Sequence, residues 1–230
     1  MTNHLVHSFD KELADLIDIL YNMAELAGQE LEICTQAWSS PNVEYITRVN
    51  EIDTNVNKLD YSLEQKAYNL IALRQPVGID LRMIVSSLRI SVTIERIGDL
   101  AKNMTKRACK RISEVDQNIV KEIVIILQKL EAIYNLVKPL VKMENNNLSL
   151  QEVAQKAEEV IMIMRIEVAK LNNKIKENSQ LIEEYLNILF AIKSMERLAE
   201  SITKISRIHY YIQTGKKVLK HEISPVPNEI

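Results

Sequence analysis

Glycine and proline are scarce, four and five in 230 residues, which leaves little turn chemistry and argues for long helices, since both residues punctuate helices more than any other. Cysteine is rarer still. Cys34 and Cys109 stand alone, without the paired spacing of a metal site or a disulfide framework, and read as reduced core thiols. Neither charge dominates, with 29 basic against 31 acidic side chains, so the electrostatic footprint of a nucleic-acid binder is missing. The basic stretch Lys102, Lys106, Arg107, Lys110 and Arg111 closes an expected helix, where the helix dipole favours cations.

Long apolar runs are also lacking. Stretches such as Ile123 to Leu127 are far too short to span a bilayer, and Met1 to Glu12 shows no basic segment followed by an apolar one. The expectation is a cytoplasmic chain with no direct membrane insertion. Catalytic constellations are missing too: there is no glycine-rich phosphate loop, no Ser-His-Asp or Cys-His set, and the single tryptophan, Trp38, reads as packing. The four histidines, His4, His7, His209 and His221, lie near the chain ends, so the Glu-x-x-His signature of di-iron bundles is absent.

Apolar residues recur at intervals of three and four almost throughout. This period predicts an all-α chain of six long helices, over about 8–38, 42–74, 78–112, 116–144, 150–177 and 180–213, most of them roughly 45 Å long. Ser40-Pro41 places proline at a helix start, Arg74-Gln-Pro-Val-Gly78 separates the second and third helices, and Ser149-Leu-Gln-Glu152 reads as a capping box. Pro139 is placed to kink or shorten the fourth helix. After Gly215 the pattern fades into Ser224-Pro-Val-Pro-Asn228, a loose tail.

Self-similarity sharpens the architecture. Glu95-Arg-Ile-Gly-Asp99 recurs 101 positions later as Glu196-Arg-Leu-Ala-Glu200, and Leu88 and Leu189 precede each glutamate by seven. The expectation is two tandem, related three-helix bundles at 1–113 and 114–215, followed by a flexible segment over 216–230.

The repeated motif is acidic. Glu95 and Asp99 lie one helical turn apart, on a stripe continued by Val92, Leu88, Val85 and Leu81, so the acids are expected to interrupt an apolar packing seam. Glu196 and Glu200 continue a stripe carrying Tyr185, Leu189 and Ile192, and the second helix adds Asp53, Asn57 and Asp60. Two carboxylates about 6 Å apart repel by roughly 3 kcal/mol at an effective dielectric of 20. Covered acids therefore need a cation, a salt bridge or a proton, and oxygen-only donors favour a hard ion such as Mg, Mn, Ca or ferric iron. The alternative is an ordinary solvated or salt-bridged set, with Arg96, Arg197 and Lys204 as neighbours. Gly98, mid-helix, costs about 1 kcal/mol against alanine and signals a close approach at that point, as does Ala199 at the matching place.

Asp53-Thr-Asn-Val-Asn57, Arg74-Gln-Pro76 followed by Asp80-Leu-Arg82, Glu95-Arg-Ile-Gly-Asp99 and its degenerate copy Glu196-Arg-Leu-Ala-Glu200, taken in order, resemble the PhoU family of phosphate-uptake regulators, accessory proteins of phosphate-specific transport, along almost the whole chain. The resemblance implies two three-helix bundles, a homodimer and no catalysis. It also implies an adaptor that contacts a phosphate ABC transporter through its ATPase subunit and a sensor histidine kinase, and that keeps the phosphate-starvation response off when phosphate is plentiful. Some members bind metal clusters, which implies a Fe, Mn, Mg or Zn ion at Asp53, Asn57, Glu95 and Asp99, with Asp60 beside them and Glu196 and Glu200 as the second copy. There, glutamate replaces the usual aspartate, and the helix-five region from Glu158 to Met162 lacks a spaced acidic pair, so metal is expected chiefly in the first unit. Two other readings stay open: an oxygen-ligated metal-dependent phosphohydrolase and a metal-free helical scaffold.

Overall fold

The computed structural model describes residues 2–111, 117–143, 148–177, 179–219 and 222–223, with side chains described from Ser8 onward and not at 177 and 179. Its six long helices are α1 (Thr2–Ser39), α2 (Glu44–Arg74), α3 (Gly78–Cys109), α4 (Gln117–Val137), α5 (Leu150–Glu177) and α6 (Ile182–Thr214). Short 3-10 turns occupy Lys138–Lys142 and Ser179–Leu181. No strand occurs among the described residues. The expected helix limits at 112, 116 and 144 and the tail beyond Ser224 lie outside the described residues, as do the side chains of His4 and His7 and the whole of His221.

The helix ends follow local chemistry, with differences from expectation. Pro41 does not open α2, which begins at Glu44: Asn42 does the capping, its side-chain oxygen accepting from the Glu44 N–H at 2.9 Å. Gln75 takes a left-handed conformation (φ 48°) and its N–H returns to the Ile71 carbonyl at the end of α2. Pro139 shortens α4 as expected, since a proline N cannot continue the ladder, and the chain tightens there into a 3-10 turn. At the end of α5's lead-in, the Ser149 hydroxyl donates to the Gln151 side chain at 2.9 Å. Gly215, at φ 71°, closes α6 with its N–H on the Tyr211 carbonyl, 2.8 Å away.

α1, α2 and α3 pack on one another, as do α4, α5 and α6; α3 lies along α6, and α1 lies along α4. A single contiguous cluster of buried apolar side chains runs through both trios, from Leu16 and Leu20 to Ile205 and Ile212. Tyr134 fastens the trios together: it is fully buried, its hydroxyl donates to the Ala24 carbonyl at 2.7 Å, and its ring lies against Gly28. α3 and α6 run antiparallel, with Arg82 reaching the Ile212 carbonyl at one end and Arg107 reaching Asn187 at the other.

The stripe Leu81, Val85 and Val92 is not a packing seam. Val85 is 41% and Val92 57% exposed, because α3 buries the face one step round, through Ile84, Ser87, Ser91, Ile94, Gly98 and Ala101. Small residues dominate that face and let neighbouring helices approach closely. The hydroxyls of Ser87 and Ser91 satisfy themselves on the Met83 and Leu88 carbonyls of their own helix.

Candidate functional site

α2 buries Val49, Val56, Leu63 and Leu70, seven residues apart, together with Ala67. Asp53 and Asp60 stand one turn after the first two of these, along the edge of that row. On α3, Leu88, Glu95 and Lys102 form a matching row, again seven apart. The packing of α2 on α3 therefore brings Asp53 and Asp60 towards Glu95, Asp99 and Lys102.

Lys102 sits at the centre of this group. Its Nζ lies 2.7 Å from Asp53 Oδ1 and 2.6 Å from Asp99 Oδ1, joining the two helices through a largely covered ammonium. Burial opposes its charge, but the hydrogen bonds from Asp53 and Asp99 outweigh that cost, and its pKa is raised. Lys102 is therefore not the helix-dipole cation expected from the sequence. Of the same stretch, Arg107 donates to Asn187 at 2.9 Å, and Arg111 lies over the Trp38 ring while donating to the Trp38 carbonyl. Glu95 stands half-buried beside the bridge, its pKa raised by burial and then by the negative charges of Asp60, Asp99 and Asp53. Asn57 is exposed on α2, one turn beyond Asp53.

Beneath the acids lies a residue that sequence reasoning missed. Glu30, on α1, is fully buried, and neither of its carboxylate oxygens has a hydrogen-bond partner among the described residues. Burial, followed by the charges of Asp53 and Asp99 against the opposing pull of Lys102, pushes its pKa up to about 8. It is accordingly protonated for the most part at neutral pH. Gly98 is explained by the same contact: a Cβ at position 98 would collide with Glu30 Oε2 and stand 3.1 Å from the carboxyl carbon. The close approach signalled by the glycine is that of a buried side chain from α1. A sequence signal for Glu30 existed, because it falls in the heptad series Leu16, Met23, Glu30, Ala37, whose other members are all core residues.

The second copy is arranged differently. Glu196 is held by Lys193 on its own helix at 2.9 Å. Glu200 lines a cleft between α5 and α6 with Glu158, Thr203 and Arg207, and Glu158 lies 3.8 Å from Arg165. The cations that hold Asp99 and Glu196 are thus lysines three residues away, not Arg96, Arg197 or Lys204.

The donor set of the first unit is all oxygen and suits a hard cation by chemistry. As arranged, however, Asp53 and Asp99 are already joined by an ammonium, and no three acidic, histidine or cysteine side chains among the described residues are grouped as metal ligands.

Fold and site together define a class: a tandem six-helix protein in which each half closes on a motif of two acids flanking a small residue. Residues 20–108 match the PhoU domain family. The phosphate-specific transport system accessory protein PhoU homolog of Caulobacter vibrioides is 29% identical over 224 residues, covering 95% of each chain. The PhoU homolog of Pseudomonas aeruginosa is 25% identical over 232 residues, 100% of this chain and 95% of its own. Two solved structures share the fold. PhoU from Pseudomonas aeruginosa superposes with a TM-score of 0.74 at 23% identity, over 90% of this chain and 100% of its own. The phosphate transport system regulatory protein PhoU from Streptococcus pneumoniae does so with a TM-score of 0.73 at 22% identity, over 92% and 99%. The chain is thus similar to PhoU accessory proteins along almost its whole length, with the PhoU domain match over residues 20–108.

Proposed function

We propose that this protein is an accessory regulator of phosphate uptake that acts by binding other proteins and carries out no reaction of its own. The observation that carries this reading is the end-to-end match to relatives named as phosphate-specific transport system accessory proteins, 95% of both chains in the Caulobacter case. The site supports it. Asp53 and Asp99 between α2 and α3 share one lysine, and nothing described there pairs a nucleophile with a base at hydrogen-bond distance. No described helix is long and apolar enough to cross a membrane, so contact with a transporter runs through a protein surface.

In this reading the protein works in the cytoplasm as a homodimer. It contacts the ATPase subunit of a phosphate ABC transporter and a sensor histidine kinase, and it holds the phosphate-starvation response off when phosphate is abundant. A crosslinked pull-down from cells grown at high and low phosphate tests this. Recovery of transporter ATPase or kinase in an amount that changes with phosphate is expected, and failure to recover either at both levels overturns it.

The metal expectation becomes a linked proposal: a hard cation enters the first unit at Asp53, Glu95 and Asp99, with Asn57 and Asp60 at its margin, by displacing the Lys102 ammonium, and enters at Glu196 and Glu200 more weakly. Such an ion would supply the positive charge that Lys102 now supplies. Elemental analysis of purified protein and of Asp99→Ala tests it; equal metal content in the two sinks the assignment.

A further inference from the structure

The acids of the α2–α3 edge have a counterpart of opposite sign on the neighbouring face of α3. Arg82, Arg89 and Arg96 lie seven residues apart on α3, and α6 adds Lys204 and Arg207 where it runs alongside. After Gly215 the chain turns back beside α6. There Lys217 lies 5.9 Å from the centre of the Tyr211 ring, and Val218 and Leu219 form a wall. The result is a cleft of about 230 Å3 whose polar rim is Arg89, Lys204, Arg207 and Lys217 and whose apolar lining includes Ile208 and Tyr211.

Three separate segments, α3, α6 and the chain after it, bring these four cations to one cleft. Arg89, Arg96, Lys204 and Lys217 make no ion pair among the described residues. The carboxylate acting on Arg207 is Glu200. The crowding has a measurable consequence: Lys204 has its pKa lowered, by burial first and then by the positive charges of Arg89, Arg96 and Arg207. Lys204 is exposed at the rim of the cleft, and an anion seated among these groups would relieve their mutual repulsion.

We propose that this cleft between α3, α6 and residues 217–219 is a binding site for a multivalent phosphoryl anion, gripped by the guanidinium groups of Arg89 and Arg207 and the ammonium groups of Lys204 and Lys217. Guanidinium forks match the oxygens of a phosphoryl group two at a time, and the lysines add point charge. Four rim cations against one carboxylate favour an anion of more than one charge. The site is distinct from the acidic edge, and it stands whether or not the docking role proposed above holds.

Calorimetric titration of the full chain, freed of metal with a chelator and held at constant ionic strength, tests the assignment with inorganic phosphate and tripolyphosphate as separate probes. Saturable 1:1 binding of at least one is expected, and the stronger of the two says whether single or chained phosphoryl groups are the natural occupant. The double substitution Lys204→Gln, Arg207→Gln should weaken binding tenfold or more, whereas Lys110→Gln, just past the far end of α3 from Arg89, should leave it within about twofold. Glu200→Gln should tighten binding, and it serves as the second reading if the double variant does not fold. Absence of saturable binding of either probe, equal loss in Lys110→Gln and the double variant, or no change in both the double variant and Glu200→Gln overturns the proposal.

Discussion

Glu30 is where residue-level energetics are most exposed to measurement. Its pKa rises from 4.5 to about 8 in the folded protein, so between those values the folded state holds a proton that the unfolded chain has released. The contribution of Glu30 to stability is then greatest in acid and falls as pH rises from about 4.5 to about 8, beyond which it is lost. At about 1.4 kcal/mol per pH unit the total is on the order of 5 kcal/mol. Urea unfolding of chelator-treated protein at pH 5.5 and 8.5 should show this fall, and Glu30→Gln, which keeps the shape without the proton, should flatten it. Gly98 gives a second test at the same contact. Alanine in a helix is ordinarily worth about 1 kcal/mol over glycine, yet Gly98→Ala should destabilise by about 1–3 kcal/mol because the methyl meets the Glu30 carboxyl. Combining it with Glu30→Ala should recover most of that loss in a double-mutant cycle.

Legibility at this scale divides by mechanism. The need for a small residue at 98 can be read from a glycine placed mid-helix, and the repeat at 199 reinforces it. What the glycine makes room for cannot be read that way, because the partner comes from a helix 68 positions earlier. Glu30 was readable in principle as an acid at a core heptad position. Lys102 was not: a lysine late in a helix looks the same whether it caps a dipole or bridges two aspartates, and only the packing of α2 on α3 decides between them.

Among the elements, α2 is held by its buried residues Val49, Val56, Leu63, Ala67 and Leu70, by the Lys66–Asp15 and Arg74–Glu12 ion pairs to α1, and by the Lys102 bridge to α3. Lys102→Gln should cost about 1–2 kcal/mol by leaving the half-covered Asp53 without its cation. Amide exchange should report the loss first along α2, and the same variant should bind Mn or Mg more tightly than the unmodified chain. Unchanged exchange in α2 would show that its buried residues and its ion pairs to α1 fix this helix without the bridge. The six helices themselves were legible because a period of 3.6 survives every tertiary detail. Their faces were less so. Leu81, Val85 and Val92 look like a core stripe, but a helix with apolar residues on more than one face leaves the choice of buried face to its neighbours, and α1 takes the side lined with serine and glycine.

At the scale of the whole molecule, an acidic and a basic row lie on neighbouring faces of α3, although the chain as a whole carries a formal net charge of only -2. Composition averages hide such local segregation by construction. Salt should screen partners that approach either flank.

Tyr134 carries the last consequence. Its ring covers Gly28, and its hydroxyl holds the Ala24 carbonyl, so the hydrophobic interior of one repeat is finished by a side chain from the other. A fragment ending at residue 113 should therefore melt well below the intact chain, or accumulate as aggregate, and mixing it with a fragment spanning 114–219 should restore a single cooperative transition. The two halves share one apolar interior, so unfolding of either should carry the other with it.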